Sequence, residues 1–114
     1  MEDIRLKKLP FIYEGNGKEY QLRCNMAVLA DIEEEFGNIP DIFEAKGQLN
    51  KILKILAIMM NEYADAQGWK ERVTYRDLGR TLELEDIPFD GIRKLIVGAL
   101  YRKKEENEAE TSKN

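Results

Sequence analysis

Residues 49–66 constrain the fold more than any other stretch of this chain. At 100° per residue they set Ile52, Leu53, Ile55, Leu56, Ile58, Met59, Met60 and Tyr63 around nearly the whole circumference of a helix. Lys51, Lys54, Asn61, Glu62 and Asp65 gather toward its ends. A helix that is apolar all round has no face it can leave in water, so it must be central and other elements must cover it. Gly68 ends it. The uncharged apolar run Ile55–Met60 is far shorter than the roughly 20 residues needed to cross a bilayer, so the cover is protein. With 114 residues there is material for one domain with one core and little more.

The segment before this helix supplies a first cover. In Pro10–Arg23, Asn16-Gly17 lies between two aromatic and aliphatic runs, the strongest short-range signal for a β-hairpin. A two-residue loop there pairs Tyr13 with Tyr20 and Phe11 with Leu22, which puts all four on one face. That register also sets Glu14 opposite Glu19, a small penalty that a longer loop would relieve. Two strands alone are marginal in water, so the hairpin must lean on helices. Asn25 is positioned to cap a helix running to about Phe36, with Gly37 ending it in the left-handed conformation. Leu29, Ile32 and Phe36 form its apolar stripe, with Val28 at the edge, while Asp31, Glu34 and Glu35 look outward. Asp41 and Glu44 have capping-box spacing and open a short turn through Ile42 and Phe43 before Gly47.

The segment after it supplies the rest. Trp69–Val73 is a connector, and Thr74 with Asp77 predicts a capped short helix carrying Leu78 and Leu82. A last helix, starting near Asp86 or Pro88, brings Ile92, Leu95, Ile96, Ala99 and Leu100 to one side. From Lys103 onward there is no large apolar residue. The expected architecture is mainly α: an N-terminal β-hairpin packed on a small bundle of about four to five helices. It forms a single globular domain over residues 1–104, with the hairpin in 8–24 and the helices in 25–102, followed by a disordered charged tail over 105–114.

The side-chain inventory narrows the chemistry. There is no His, one Cys (Cys24) and one Ser (Ser112), which removes Ser-His and Cys-His nucleophile pairs, a structural zinc site and any internal disulfide. No enzymatic activity, no catalytic residue, no metal and no cofactor is expected. The chain opens Met1-Glu2-Asp3 with no apolar segment behind Lys7-Lys8, so a cytosolic protein without membrane association is expected. Gly15-Asn16-Gly17-Lys18 lacks the spacing of a phosphate loop and reads as a turn. Asp31 and Glu33–Glu35 read as a solvated acidic face with no second carboxylate helix to complete a cation site, although a basic partner could use it. Met59 and Met60 read as core, whereas Trp69, in a polar connector, is a candidate for an interface.

Net charge is −4, spread unevenly: −4 over residues 1–69, +3 over 70–104 and −3 over 105–114. The basic middle block raises one alternative function, a small DNA-binding regulator using residues 74–102 as a helix-turn-helix with Arg93, Lys94 and Arg102 on its second helix. Glu85, Asp86 and Asp90 lie where the reading end of that helix would meet phosphates, which weighs against nucleic acid as a partner.

Lys18-Glu19-Tyr20-Gln21-Leu22-Arg23, then Asn25-Met26, Leu29, Ile32-Glu33-Glu34 and Phe36-Gly37, and later Thr74-Tyr75-Arg76-Asp77-Leu78-Gly79 with the closing amphipathic helix, resemble the tail assembly chaperones of long-tailed bacteriophages and prophages. The likeness runs over about residues 8–102. It implies a small, mainly helical protein of the bacterial host cytoplasm that is left out of the finished virion. Its implied partners are the tape-measure protein, which it keeps soluble, and the tail tube protein, whose polymerisation it promotes; self-association is compatible with that role. The family carries over no catalytic residues. Exposed apolar residues around Trp69 and Tyr75, with charged rims that include Arg76, Glu34 and Glu35, are the expected contact surface.

Overall fold

The computed structural model describes the backbone of residues 8–37 and 49–112, and the side chains of residues 8–37 and 49–101. Among the described residues, in chain order, come β1 (Leu9–Tyr13), β2 (Lys18–Leu22), α1 (Met26–Phe36), α2 (Leu49–Gln67), α3 (Tyr75–Thr81), a 3-10 turn (Leu84–Asp86) and α4 (Phe89–Ser112). The chain is mainly α, with an antiparallel two-stranded hairpin packed on helices, as the patterning predicts. The cap at Asp41 and Glu44 lies outside the described residues, as does the turn before Gly47.

α2 is the centre. It packs against β2, α1 and α3, and Ile55, Leu56, Met59 and Met60 are fully buried. α4 closes the core from another side, resting on α1 and β1, with Ile92, Leu95, Ile96 and Ala99 buried. It comes close to β1 because residue 91 is glycine: a Cβ there would stand 2.6 Å from Leu9 Cδ2. The buried side chains of hairpin and helices form one cluster. At about 1.5–3 kcal/mol for each large aliphatic side chain removed from water, that cluster is what holds the hairpin down.

Helix ends follow local chemistry. Asn25 Oδ1 accepts the Val28 N–H at 2.9 Å and starts α1. Gly37 ends it with φ 83° and ψ −113°, its N–H donating to the Glu33 carbonyl at 2.7 Å. The positive φ is the expected one; the ψ takes the residue out of the left-handed helical region into backbone that only glycine adopts readily. Gly68, at φ 76°, ends α2 in a Schellman arrangement, with Gly68 N–H on the Asp65 carbonyl (3.1 Å) and Trp69 N–H on the Ala64 carbonyl (2.8 Å). Pro88 precedes α4 and its carbonyl accepts the Ile92 N–H at 3.0 Å. The α4 backbone is helical to Ser112, past residue 104, where composition predicts a disordered tail. Lys, Glu and Ala are strong helix formers and prolong a helix that packing has already nucleated.

The hairpin keeps the predicted face and changes the predicted partners. Phe11 pairs with Tyr20, Leu9 with Leu22 and Tyr13 with Lys18, a slip of two residues from the register of a two-residue loop. Because side chains alternate with period two, an even slip leaves Phe11, Tyr13, Tyr20 and Leu22 together on the buried face. The loop is Glu14–Gly17, and Asn16 and Gly17 both donate their N–H to the Tyr13 carbonyl (3.3 and 2.9 Å). Only Gly17 takes positive φ, at 72°. Asn16 acts through its side chain, accepting the Lys18 N–H at 3.0 Å and donating to the Tyr20 hydroxyl at 2.9 Å. The longer loop also separates Glu14 from Glu19, which now faces Ile12.

Candidate functional site

The connector after α2 is held by a side chain rather than by a sheet. Asn61, on α2, donates Nδ2–H to the Val73 carbonyl (2.9 Å) and accepts the Val73 N–H at Oδ1 (3.0 Å), pairing with the connector as a neighbouring strand would. One turn further along α2, Asp65 is ion-paired with Arg72. The chain between Trp69 and Val73 is thus laid along α2 and delivers Thr74 to the start of α3.

There Thr74 and Asp77 form a reciprocal cap. Thr74 Oγ1 accepts the Asp77 N–H at 3.1 Å, and Asp77 Oδ2 accepts the Thr74 N–H at 2.9 Å. That backbone bond, with a further contribution from the Thr74 hydroxyl and the Arg80 charge against a small desolvation cost, holds the Asp77 carboxyl below the usual aspartate range. At the other end of α3, Thr81 Oγ1 donates to the Asp77 carbonyl at 2.9 Å, which leaves the Tyr13 hydroxyl to donate to Thr81 Oγ1 at 2.9 Å. α3 is tied to α2 by one end and to the hairpin by the other.

This arrangement brings Tyr75 to Lys54. The Lys54 ammonium, half-buried on α2, lies 5.1 Å from the centre of the Tyr75 ring and 3.1 Å from Glu35 Oε1 of α1. Arg76 is exposed beside it, its guanidinium carbon 6.0 Å from the same ring. Three expected contact residues, Glu35, Tyr75 and Arg76, therefore meet at one junction of α1, α2 and α3, and Glu34 is exposed one position earlier on α1. Lys54, which joins them, was visible in the sequence only as a polar residue on an apolar helix. Its role depends on which helices topology places beside it.

Trp69 is elsewhere. Its ring packs edge-on against Tyr20 (centroids 5.4 Å apart) and Tyr63 (5.5 Å), with the Lys18 ammonium 4.5 Å above it. Lys18 also pairs with Glu71 at 3.3 Å. The indole is half-buried against the main cluster, so its connector position marks a packing residue at the rim of the core. Tyr63 and Lys54 are nine positions apart on α2, which turns them to opposite sides of that helix.

Of the two helices proposed for DNA recognition, α3 packs chiefly on α2 and also bonds Tyr13 of β1, and α4 packs on α1 and β1. Among the described residues no group of three or more His, Cys, Asp or Glu could hold a metal ion, and no helix is long and apolar enough to cross a membrane. Cys24 is buried. Comparison with family models, with curated proteins and with solved structures found no match.

Proposed function

We propose that this chain is a tail assembly chaperone of a long-tailed bacteriophage or prophage. In this role it binds the tape-measure protein in the host cytoplasm, keeps it soluble, promotes tube polymerisation around it and stays out of the finished virion. The observation that carries the reading here is the junction at Lys54 of α2, where an aromatic ring and an arginine of α3 share one face with a carboxylate of α1. A tape-measure protein is a long helical polymer whose apolar stripe needs covering until assembly. An aromatic ring flanked by both signs of charge suits such a stripe with its charged borders. Tyr75 supplies the apolar contact, Arg76 meets acidic residues of the partner, and Glu34 and Glu35 meet basic ones.

Co-expression with a tape-measure fragment, followed by size exclusion, tests this. A soluble complex is expected, and the double variant Tyr75→Ala/Arg76→Glu should weaken it by about tenfold or more. A fragment that aggregates with or without this chain overturns the reading.

A further inference from the structure

A groove of about 380 Å³ opens along the outer edge of β1, between that strand and the segment joining α3 to α4. Its apolar lining comes from Pro10 and Ile12 on one side and Leu82 and Pro88 on the other. Ile12 is 65% exposed, a high value for a large aliphatic side chain that lines a groove. Three carboxylates, Glu14, Glu19 and Asp86, stand among the lining residues, and among the described residues no Lys or Arg does.

The strand edge is open as well. Tyr13 turns its carbonyl to the hairpin side, where it accepts from Asn16 and Gly17, so by alternation Pro10 and Ile12 direct their main-chain groups away from β2. Pro10 has no N–H to leave unpaired at such a position, which is where proline is tolerated in a strand. Ile12 offers both an N–H and a C=O there. Among the described residues no group of another element bonds to either.

We infer that this groove is a docking site for an extended segment of another protein that carries apolar and basic residues together on one face, at every second position, because Ile12 and Glu19 are paired and so share a face. The segment pairs its main chain with Ile12, sets an apolar side chain between Pro10, Ile12, Leu82 and Pro88, and turns Lys or Arg toward Glu14, Glu19 and Asp86. Charge selects this occupant. A second copy of the chain docked on the same edge would bring these carboxylates against their own counterparts, in a protein of net charge −4, and nucleic acid would meet the same repulsion. The inference uses residues other than those of the Lys54 junction and stands whether or not the tail-assembly reading does.

The test is fluorescence polarisation of the full chain with short labelled peptides. One sets Leu and Lys in turn at every second position with Thr between them, one has Ser in place of each Leu, and one is the Lys-Leu peptide with a central proline. Binding of the Lys-Leu peptide alone is expected, weakened about tenfold by Glu14→Lys/Glu19→Lys and by Ile12→Lys. All three substituted side chains are exposed, so unchanged circular dichroism should accompany the loss. Equal binding of the Lys-Ser peptide, or of the proline peptide, overturns the inference by reducing it to charge. Affinity indifferent to these substitutions overturns it too. A concentration-dependent dimer abolished by Ile12→Lys would assign the edge to self-association instead.

Discussion

Trp69 and Tyr75 stand six residues apart in one connector-and-helix segment, and each carries a lysine over its ring. Their situations differ in what lies behind the ring. Trp69 has two more aromatic rings behind it, edge-on and within 5.5 Å, so its cation is a lid on a packed cluster. The cation over Tyr75 is itself ion-paired to another helix, and the ring's other charged neighbour, Arg76, is in solvent. The first arrangement serves stability and the second leaves a surface that a partner can use.

Substitution should break this comparison in a graded way. The largest effect is expected at Trp69→Ala, about 2–3 kcal/mol in chemical denaturation, because edge-to-face packing and burial are both lost. The tail-assembly interface predicts instead a change in binding with the fold intact, so a loss below about 0.5 kcal/mol would return Trp69 to the candidate surface. Next is Asn61→Ala, at about 2 kcal/mol, because it strips both bonds from the part-buried Val73 main chain. It should loosen both aromatics, readable as coupled chemical-shift changes at Trp69 and Tyr75.

Smaller effects sharpen the Tyr75 side. Thr74→Ala should cost about 1 kcal/mol through the lost cap. Asp77 adds a pH signature with a fixed sign. Its carboxyl is held low in the fold, so its contribution is complete above the ordinary aspartate value and is lost as pH falls through the lower folded value. Asp77→Asn should therefore flatten the decline in Tm between about pH 5 and pH 3, and an unaltered acid limb would show that the cap does not govern it. Smallest is Lys54→Met, at about 0.5 kcal/mol, since it exchanges a partly solvated ion pair and a weak ring contact for apolar area.

Much of the hairpin and the helix boundaries could be read from single residues. Asn25, Gly37, Gly68 and the Thr74–Asp77 pair each act on backbone groups a few positions away, and such short-range chemistry is written locally. The hairpin register could not be read so directly. Asn16 had two ways to make a turn, positive φ or side-chain hydrogen bonds, and the bond to the Tyr20 hydroxyl decides between them only once the partner strand is in place. Gly15 belongs to the same class: read as a turn residue, it is needed because a Cβ would sit 2.5 Å from the Tyr13 ring, which Thr81 holds still. The Lys54 junction depends on three helices converging. Neither α1 nor α3 betrays in its own pattern which residue of α2 it will meet.

The pairing of Asn61 with Val73 turns the stretch behind Trp69 into a strut of set length. Anchored by the indole at one end and the amide at the other, it has no slack to absorb an added residue. A single insertion between 69 and 73 would swing Tyr75 off its lysine, whereas the same insertion after Thr81 would spare that junction and fall on the wall of the β1 groove.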